Sequence, residues 1–182
     1  MLLKQKVRKK FLLQRKNKYF KIKSILFKPL IDLIKRKSKK KISLYYPSNY
    51  EFDTIELFKI LEKKKDLSTS LPIISSKNSI KFIKWKLGEP LKVNRYGFLE
   101  PLIKKNDFKP DLIIVPLVAF DHHHNRLGYG KGYYDRFLGK YRKKNKNIIT
   151  IGLAFSFQKY KKIPVSKFDI KLDYILTEKG IF

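Results

Sequence analysis

DLIIVPLVAFDHHHNRLGYGKGYYDRFL, Asp111 to Leu138, is the stretch on which the fold turns. Its first third is an apolar run from Leu112 to Phe120, rich in β-branched residues and short enough for a strand buried inside a sheet. The run stops at Asp121, and a polar turn, His122 to Asn125, leads into Arg126-Leu127-Gly128-Tyr129-Gly130-Lys131-Gly132. From Tyr133 to Tyr141 the pattern is that of a helix. Glycines at alternate positions permit positive φ and open the main-chain N–H groups to a ligand. The loop ends at a helix N-terminus, where unpaired N–H groups and the positive end of the dipole favour an anion. Arg126 and Lys131 add cations, so the loop reads as a phosphate site, although a plain glycine-rich turn explains the spacing equally well. Asp135 also reads two ways. In the first helical turn it can complement the helix dipole, or it can hold Mg²⁺, which takes one or two carboxylates together with phosphate oxygens.

Working outward, Asn147 to Phe155 is a second apolar strand, and strand, helix, strand in this order predicts a parallel pair with a crossover helix. Ligands then collect beyond the C-terminal ends of the strands. Further strands are expected at Ile42 to Tyr46, Leu67 to Ile74, Ile80 to Trp85 and Leu172 to Thr177. Helices are expected at Leu3 to Lys16, through Phe20 to Ile34 with Pro29 as a kink or break, and after an Asp53 cap through Ile55 to Leu61. The region around Pro90, Gly97 and Pro101 reads as loop.

Size and charge narrow the function. The chain has 182 residues, enough for one domain with a substantial core and too few for two of ordinary size. No apolar run approaches the roughly 20 residues of a membrane helix, and Leu2 onward lacks the apolar block of a secretory signal, so a cytoplasmic monomer is the expectation. With no cysteine, disulfides, thiolate metal sites and a cysteine nucleophile are excluded. The formal charge of +29 favours anionic partners. Its cations are mostly lysine, however, and no nucleic-acid module accompanies them, so a solvated surface is preferred over specific nucleic-acid binding, the alternative function on the same fold. His122, His123 and His124 stand adjacent in a turn and cannot all face one ion.

The central stretch resembles the DLxxVPGxAFD…NRLGxGxGYYDRxL segment of the 5-formyltetrahydrofolate cyclo-ligase family. Tyr45-Tyr46-Pro47, Glu51 to Thr54, Leu71-Pro72, Glu100-Pro101, Gly152 to Phe155 with Gln158, Ile163-Pro164 and Asp169 to Thr177 follow in that family's order, so the resemblance covers nearly the whole chain. It implies an α/β fold: a three-layer α/β/α domain spanning 1–182 with a largely parallel central sheet, similar to sugar-phosphate isomerases and CoA transferases. The basic helices of residues 1–40 would contribute to the nucleotide site. It also implies an ATP- and Mg²⁺-dependent conversion of 5-formyltetrahydrofolate to 5,10-methenyltetrahydrofolate. ATP would be held by Lys4, Arg8 and the loop residues Arg126, Leu127, Gly128, Tyr129, Gly130, Lys131, Gly132, Tyr133 and Tyr134, with Arg126, Lys131 and Tyr133 nearest the chemistry. Folate would contact Tyr46, Glu51, Tyr96, Glu100 and Tyr129, and the metal Asp135 and Asp169. Leu117 stands where the family pattern has glycine, which is expected to crowd the backbone near the nucleotide. Ile73 replaces a common arginine.

Overall fold

The structure is a computed structural model that describes residues 2–75, 79–102 and 107–182. Its helices are α1 (Leu2–Lys18), α2 (Lys28–Arg36), α3 (Ile55–Glu62) and α4 (Tyr133–Lys144). The strands are β1 (Lys41–Ser43), β2 (Ser68–Ile74), β3 (Ile80–Lys84), β4 (Leu91–Val93), β5 (Leu99–Pro101), β6 (Leu112–Pro116), β7 (Ala119–Phe120), β8 (Arg126–Leu127), β9 (Ile149–Leu153), β10 (Tyr174–Thr177) and β11 (Gly180–Ile181). Seven of them form one sheet in the order β11-β10-β9-β6-β1-β2-β3. The five central strands are parallel, and both edges are antiparallel.

Alternation along β6 explains the layers. Leu112 and Ile114 pack with Leu30 and Leu33 of α2 and with Leu57, Phe58 and Leu61 of α3. Ile113 and Val115 point the other way, into a cluster with Leu138 of α4. Both faces of the strand are therefore covered, which is why it reads as an unbroken apolar run. The expected parallel pair is β6 with β9, aligned from Leu112 opposite Ile149 to Pro116 opposite Leu153, and α4 is the crossover. Helix α1 lies beyond this sandwich, burying Val7 and Phe11 against Val118, Ala119 and Leu127.

Several boundaries differ from the expectations. The apolar run is not one strand: it leaves the sheet after Pro116, and Ala119 and Phe120 pair instead with Leu127 and Arg126. The helix expected through Phe20 to Ile34 begins as a 3₁₀ turn at Ser24 and becomes α2 at Lys28, with Pro29 in its first turn, where a missing N–H costs nothing. The β1 ladder ends at Ser43 because Tyr45 turns away, its hydroxyl donating to Phe52 O and its carbonyl accepting from Thr54 Oγ1. The region read as loop around Pro90 to Pro101 is the β4–β5 hairpin, whose turn is set by Asn94 Oδ1 accepting from the Tyr96 and Phe98 amides. The N-cap of α3 is Thr54 rather than the expected Asp53, which sits one residue earlier and accepts from the Ile55 amide at 2.8 Å.

Leu117 does not crowd the glycine loop. Its Cδ2 lies 2.6 Å from where a Cβ on Gly152 would stand, so the glycine on β9 makes room for the leucine. Leu172 and Ile175 crowd the same point at 2.8 Å. Gly152→Ala should therefore destabilise the fold by about 1–3 kcal/mol through overpacking, measured as a lower urea midpoint at unchanged slope.

Candidate active site

Beyond the C-terminal ends of β1, β2 and β6 lies a cavity of about 520 Å³, walled by Tyr45, Tyr46, Pro72, Ile74 and Pro116. The β4–β5 hairpin closes one side with Asn94, Tyr96, Phe98 and Glu100, and α1 contributes Lys4 and Arg8. The opposite wall is the glycine loop, Arg126 to Asp135, with Asp169 beside it. The cavity thus gathers every residue that sequence reasoning assigned to nucleotide, folate or metal.

The loop keeps its open shape for local reasons. Asp121 is buried and accepts from the amides of His123 and Asn125, the Asn125 side chain and the Ile163 amide, which ties the tight turn before the loop to a distant segment. Gly130 at φ 103° and Gly132 at φ 65° need the left-handed region, whereas Gly128 does not. At Gly128 the constraint is room, because Arg126 Nη1 lies 2.8 Å from the position a Cβ would take. Arg8 Nε donates to Gly128 O at 2.8 Å, fastening α1 to the loop.

Each carboxylate here has a cation or a donor. Arg126, only 4% exposed, has Nη2 2.9 Å from Asp135 Oδ1. Lys4 Nζ donates to Asp169 Oδ2 at 2.6 Å, and the Ser166 amide donates to the same oxygen. Burial works against ionised Asp169, yet Lys4 and Ser166 hold its pKa below the ordinary range. The Ile170 amide donates to Asp135 Oδ1, which draws the two aspartates to one edge of the cavity. Both are hard oxygen donors on the wall of the cavity, the kind of ligand that suits Mg²⁺. Among the described residues no cluster of three or more His, Cys, Asp or Glu is placed to hold a metal. His122, His123 and His124 accordingly belong to no such cluster.

On the other wall, buried Glu51 accepts from Tyr129 Oη at 2.5 Å on Oε1, and from the Ser48 amide and hydroxyl on Oε2. Burial raises its pKa, opposed by these hydrogen bonds and by the nearby Arg15 guanidinium. Tyr133 Oη donates to Tyr96 Oη at 2.7 Å, and Lys131 Nζ sits 5.5 Å from the centre of the Tyr96 ring, so the hairpin and loop meet over the cavity. Glu100 is largely a hairpin anchor, accepting from the Ile74 amide and Asn94 Nδ2. Tyr46 packs edge-on against Trp85.

A family model described as the 5-formyltetrahydrofolate cyclo-ligase family matches residues 2–178. The chain belongs to that family. Among curated relatives, a cyclo-ligase of Haemophilus influenzae is 33% identical over 153 residues, covering 81% of this chain and 80% of that one. One from Mycoplasma genitalium is 32% identical over 144 residues, covering 79% and 76%. The solved Aquifex aeolicus 5,10-methenyltetrahydrofolate synthetase superposes with a TM-score of 0.74 at 33% identity, over 98% of this chain and 91% of that one. The same fold is found in the Mycoplasma pneumoniae synthetase, with a TM-score of 0.72 at 26% identity over 96% and 98%. As a cyclo-ligase family member, the chain also carries features that sequence reasoning passed over. Arg15 is buried, and its place four residues after Phe11 and eight after Val7, on the apolar stripe of α1, is the signal that could have marked it. Asn94 and Phe98 lacked any such pattern, since the hairpin that presents them was read as loop.

Asp121 makes a pH-dependent prediction. Burial pushes its pKa up, but the hydrogen bonds from Asn125, Ile163 and His123 outweigh this and leave it below the ordinary range. A depressed carboxyl pKa stabilises the fold above the unfolded-state value and ceases to do so as pH falls through the folded one. Asp121→Asn should cost about 1–3 kcal/mol near neutrality. In urea titrations that deficit should narrow as pH drops below about 4.

Proposed function

We propose that this chain is an ATP- and Mg²⁺-dependent cyclo-ligase that converts 5-formyltetrahydrofolate to 5,10-methenyltetrahydrofolate, working as a single cytoplasmic domain whose N-terminal helix completes the nucleotide site. The observation that carries this reading is the sharing of one cavity by the open glycine loop, the Asp135–Asp169 pair and the Tyr129–Glu51 pair. Family membership supplies the chemistry to be explained.

An N-formyl group is a poor electrophile with a poor leaving oxygen, and phosphorylation corrects both faults. The formyl oxygen attacks the γ-phosphorus, and ADP leaves. N10 then attacks the activated carbon and loses its proton, after which the C–O bond breaks and phosphate departs with the former formyl oxygen. The protein's part is positioning and electrostatics. Loop amides from Gly128 to Gly132 and the side chains of Lys4, Arg8, Arg126 and Lys131 would hold the phosphates in line with the formyl oxygen. Mg²⁺ held by Asp135 and Asp169 would neutralise phosphate charge. Tyr133, linked to Tyr96, would close the hairpin over the reacting groups and exclude water.

Glu51 and Tyr129 form the folate end of this scheme. A pterin presents N–H donors along one edge, and the lone-pair site left on an ionised Glu51 after Tyr129 and the two Ser48 donors can accept one of them. Tyr46, Tyr96 and Glu100 wall the same compartment.

Purified protein mixed with 5-formyltetrahydrofolate, ATP and Mg²⁺ should show growth of methenyl absorbance. No product, together with tight salt-sensitive binding to DNA or RNA, would contradict the proposal. Asp169→Asn is the cleaner metal-site variant, because Asp135 also balances the buried Arg126 charge, whereas Lys4 opposite Asp169 is a quarter exposed. It should lower turnover by roughly 10²-fold and raise the Mg²⁺ concentration needed for half-maximal rate, with thermal stability little changed. An unaltered Mg²⁺ dependence would remove Asp169 from the metal site.

A further inference from the structure

Arg15 is a buried cation that the scheme above does not use. Its side chain lies on the inner face of α1 at 1% exposure, and Nε and Nη2 are buried without a hydrogen-bond partner. Nη1 reaches Leu117 O only at 3.5 Å, the outer limit of a hydrogen bond. The guanidinium carbon stands 5.5 Å from the centre of the Tyr129 ring, and that phenol donates to Glu51 Oε1. A buried charge with so few hydrogen bonds is costly unless opposite charge is near, and the carboxylate behind Tyr129 is Glu51.

We infer that Arg15 is a positioning residue for folate binding: acting through the Tyr129 side chain, its charge fixes Glu51 as a carboxylate at the cavity wall. This rests on the reading of Glu51 as the pterin contact. The groups facing Glu51 are Ser48 from its own loop, Tyr129 from the glycine loop, Tyr45 after β1, Tyr134 from α4 and Arg15 from α1. Burial and the neighbouring Glu51 charge raise the pKa of Tyr45 and Tyr134, leaving both as neutral phenols. Arg15 is the cation of that set, and with the hydrogen bonds from Tyr129 and Ser48 it opposes the upward push of burial on the Glu51 pKa. An ionised Glu51 has a lone pair free for a pterin N–H, whereas a protonated one presents a donor to a donor.

The test uses the full chain with Arg15→Met, Arg15→Gln and Arg15→Lys. In the ligand-free protein the ¹³C carboxyl resonance of Glu51, assigned with Glu51→Gln, should titrate at higher pH in the two neutral variants than in wild type, and Arg15→Lys should recover most of the difference. The KM for 5-formyltetrahydrofolate should rise roughly tenfold at the pH where only wild-type Glu51 is ionised, the effect of one pH unit in a titration midpoint. The rise should fade as pH increases, with kcat nearly constant. Folded neutral variants in which Glu51 titrates as in wild type overturn the inference, as does a KM change independent of pH. Should Arg15→Met not fold, Arg15→Gln against Arg15→Lys gives the same comparison. A wild type that forms no methenyl product overturns the functional reading instead, a distinct outcome because the carboxyl titration requires no substrate.

Discussion

The structure depends on holding Lys4 and Arg126 at the wall of one cavity, and Arg15 buried close by, with opposite charge within reach of each. Arg126 is held against Asp135, Lys4 against Asp169, and Arg15 is turned towards Tyr129 and the Glu51 behind it. Charges this poorly hydrated persist only when opposite charge is near. The same pairings fasten α1 and the segment after Pro164 to the glycine loop, so the loop's shape and the cavity's charge balance have one origin. Under the proposed function, phosphate oxygens would take the place of the aspartates beside Lys4 and Arg126, and Asp135 and Asp169 would be released to hold a metal.

The fold serves this arrangement by bringing remote segments to one place. Parallel strands all end on the same side of the sheet, and β1, β2 and β6 deliver Tyr46, Ile74 and Pro116 to one rim. The early exit of β1 from its ladder allows Tyr45 to fasten the loop that turns Glu51 inward. The departure of the chain from the sheet after Pro116 allows β7 and β8 to set the glycine loop over that rim.

Much of this was legible in the chain itself. The apolar run from Leu112, the glycines and the helix after them specify a buried strand and a glycine-rich loop through local geometry alone, and the β6–β9 pairing follows from the crossover rule. The resemblance then placed Lys4, Arg8, Glu51 and Asp169, which are scattered along the chain and share no local pattern. What stayed hidden depends on tertiary partners. A periodicity through Phe20 to Ile34 cannot reveal that Phe20 is drawn off to Phe155 in an extended segment. Nor can Leu117 disclose that Gly152, on a different strand, has made room for it. The pairing of Arg126 with Asp135 rather than with an open phosphate pocket is of the same kind. A charge count shows both residues but not their distance.

The central claim is that the formyl oxygen leaves the folate on phosphate, having been placed in line with the γ-phosphate by the loop between Arg126 and Gly132. Oxygen tracing tests it directly: 5-formyltetrahydrofolate labelled with ¹⁸O at the formyl group is turned over with unlabelled ATP, and the inorganic phosphate is analysed by mass spectrometry. The account predicts one ¹⁸O in each phosphate released per methenyl product. Unlabelled phosphate, with the heavy isotope recovered in water, would contradict it.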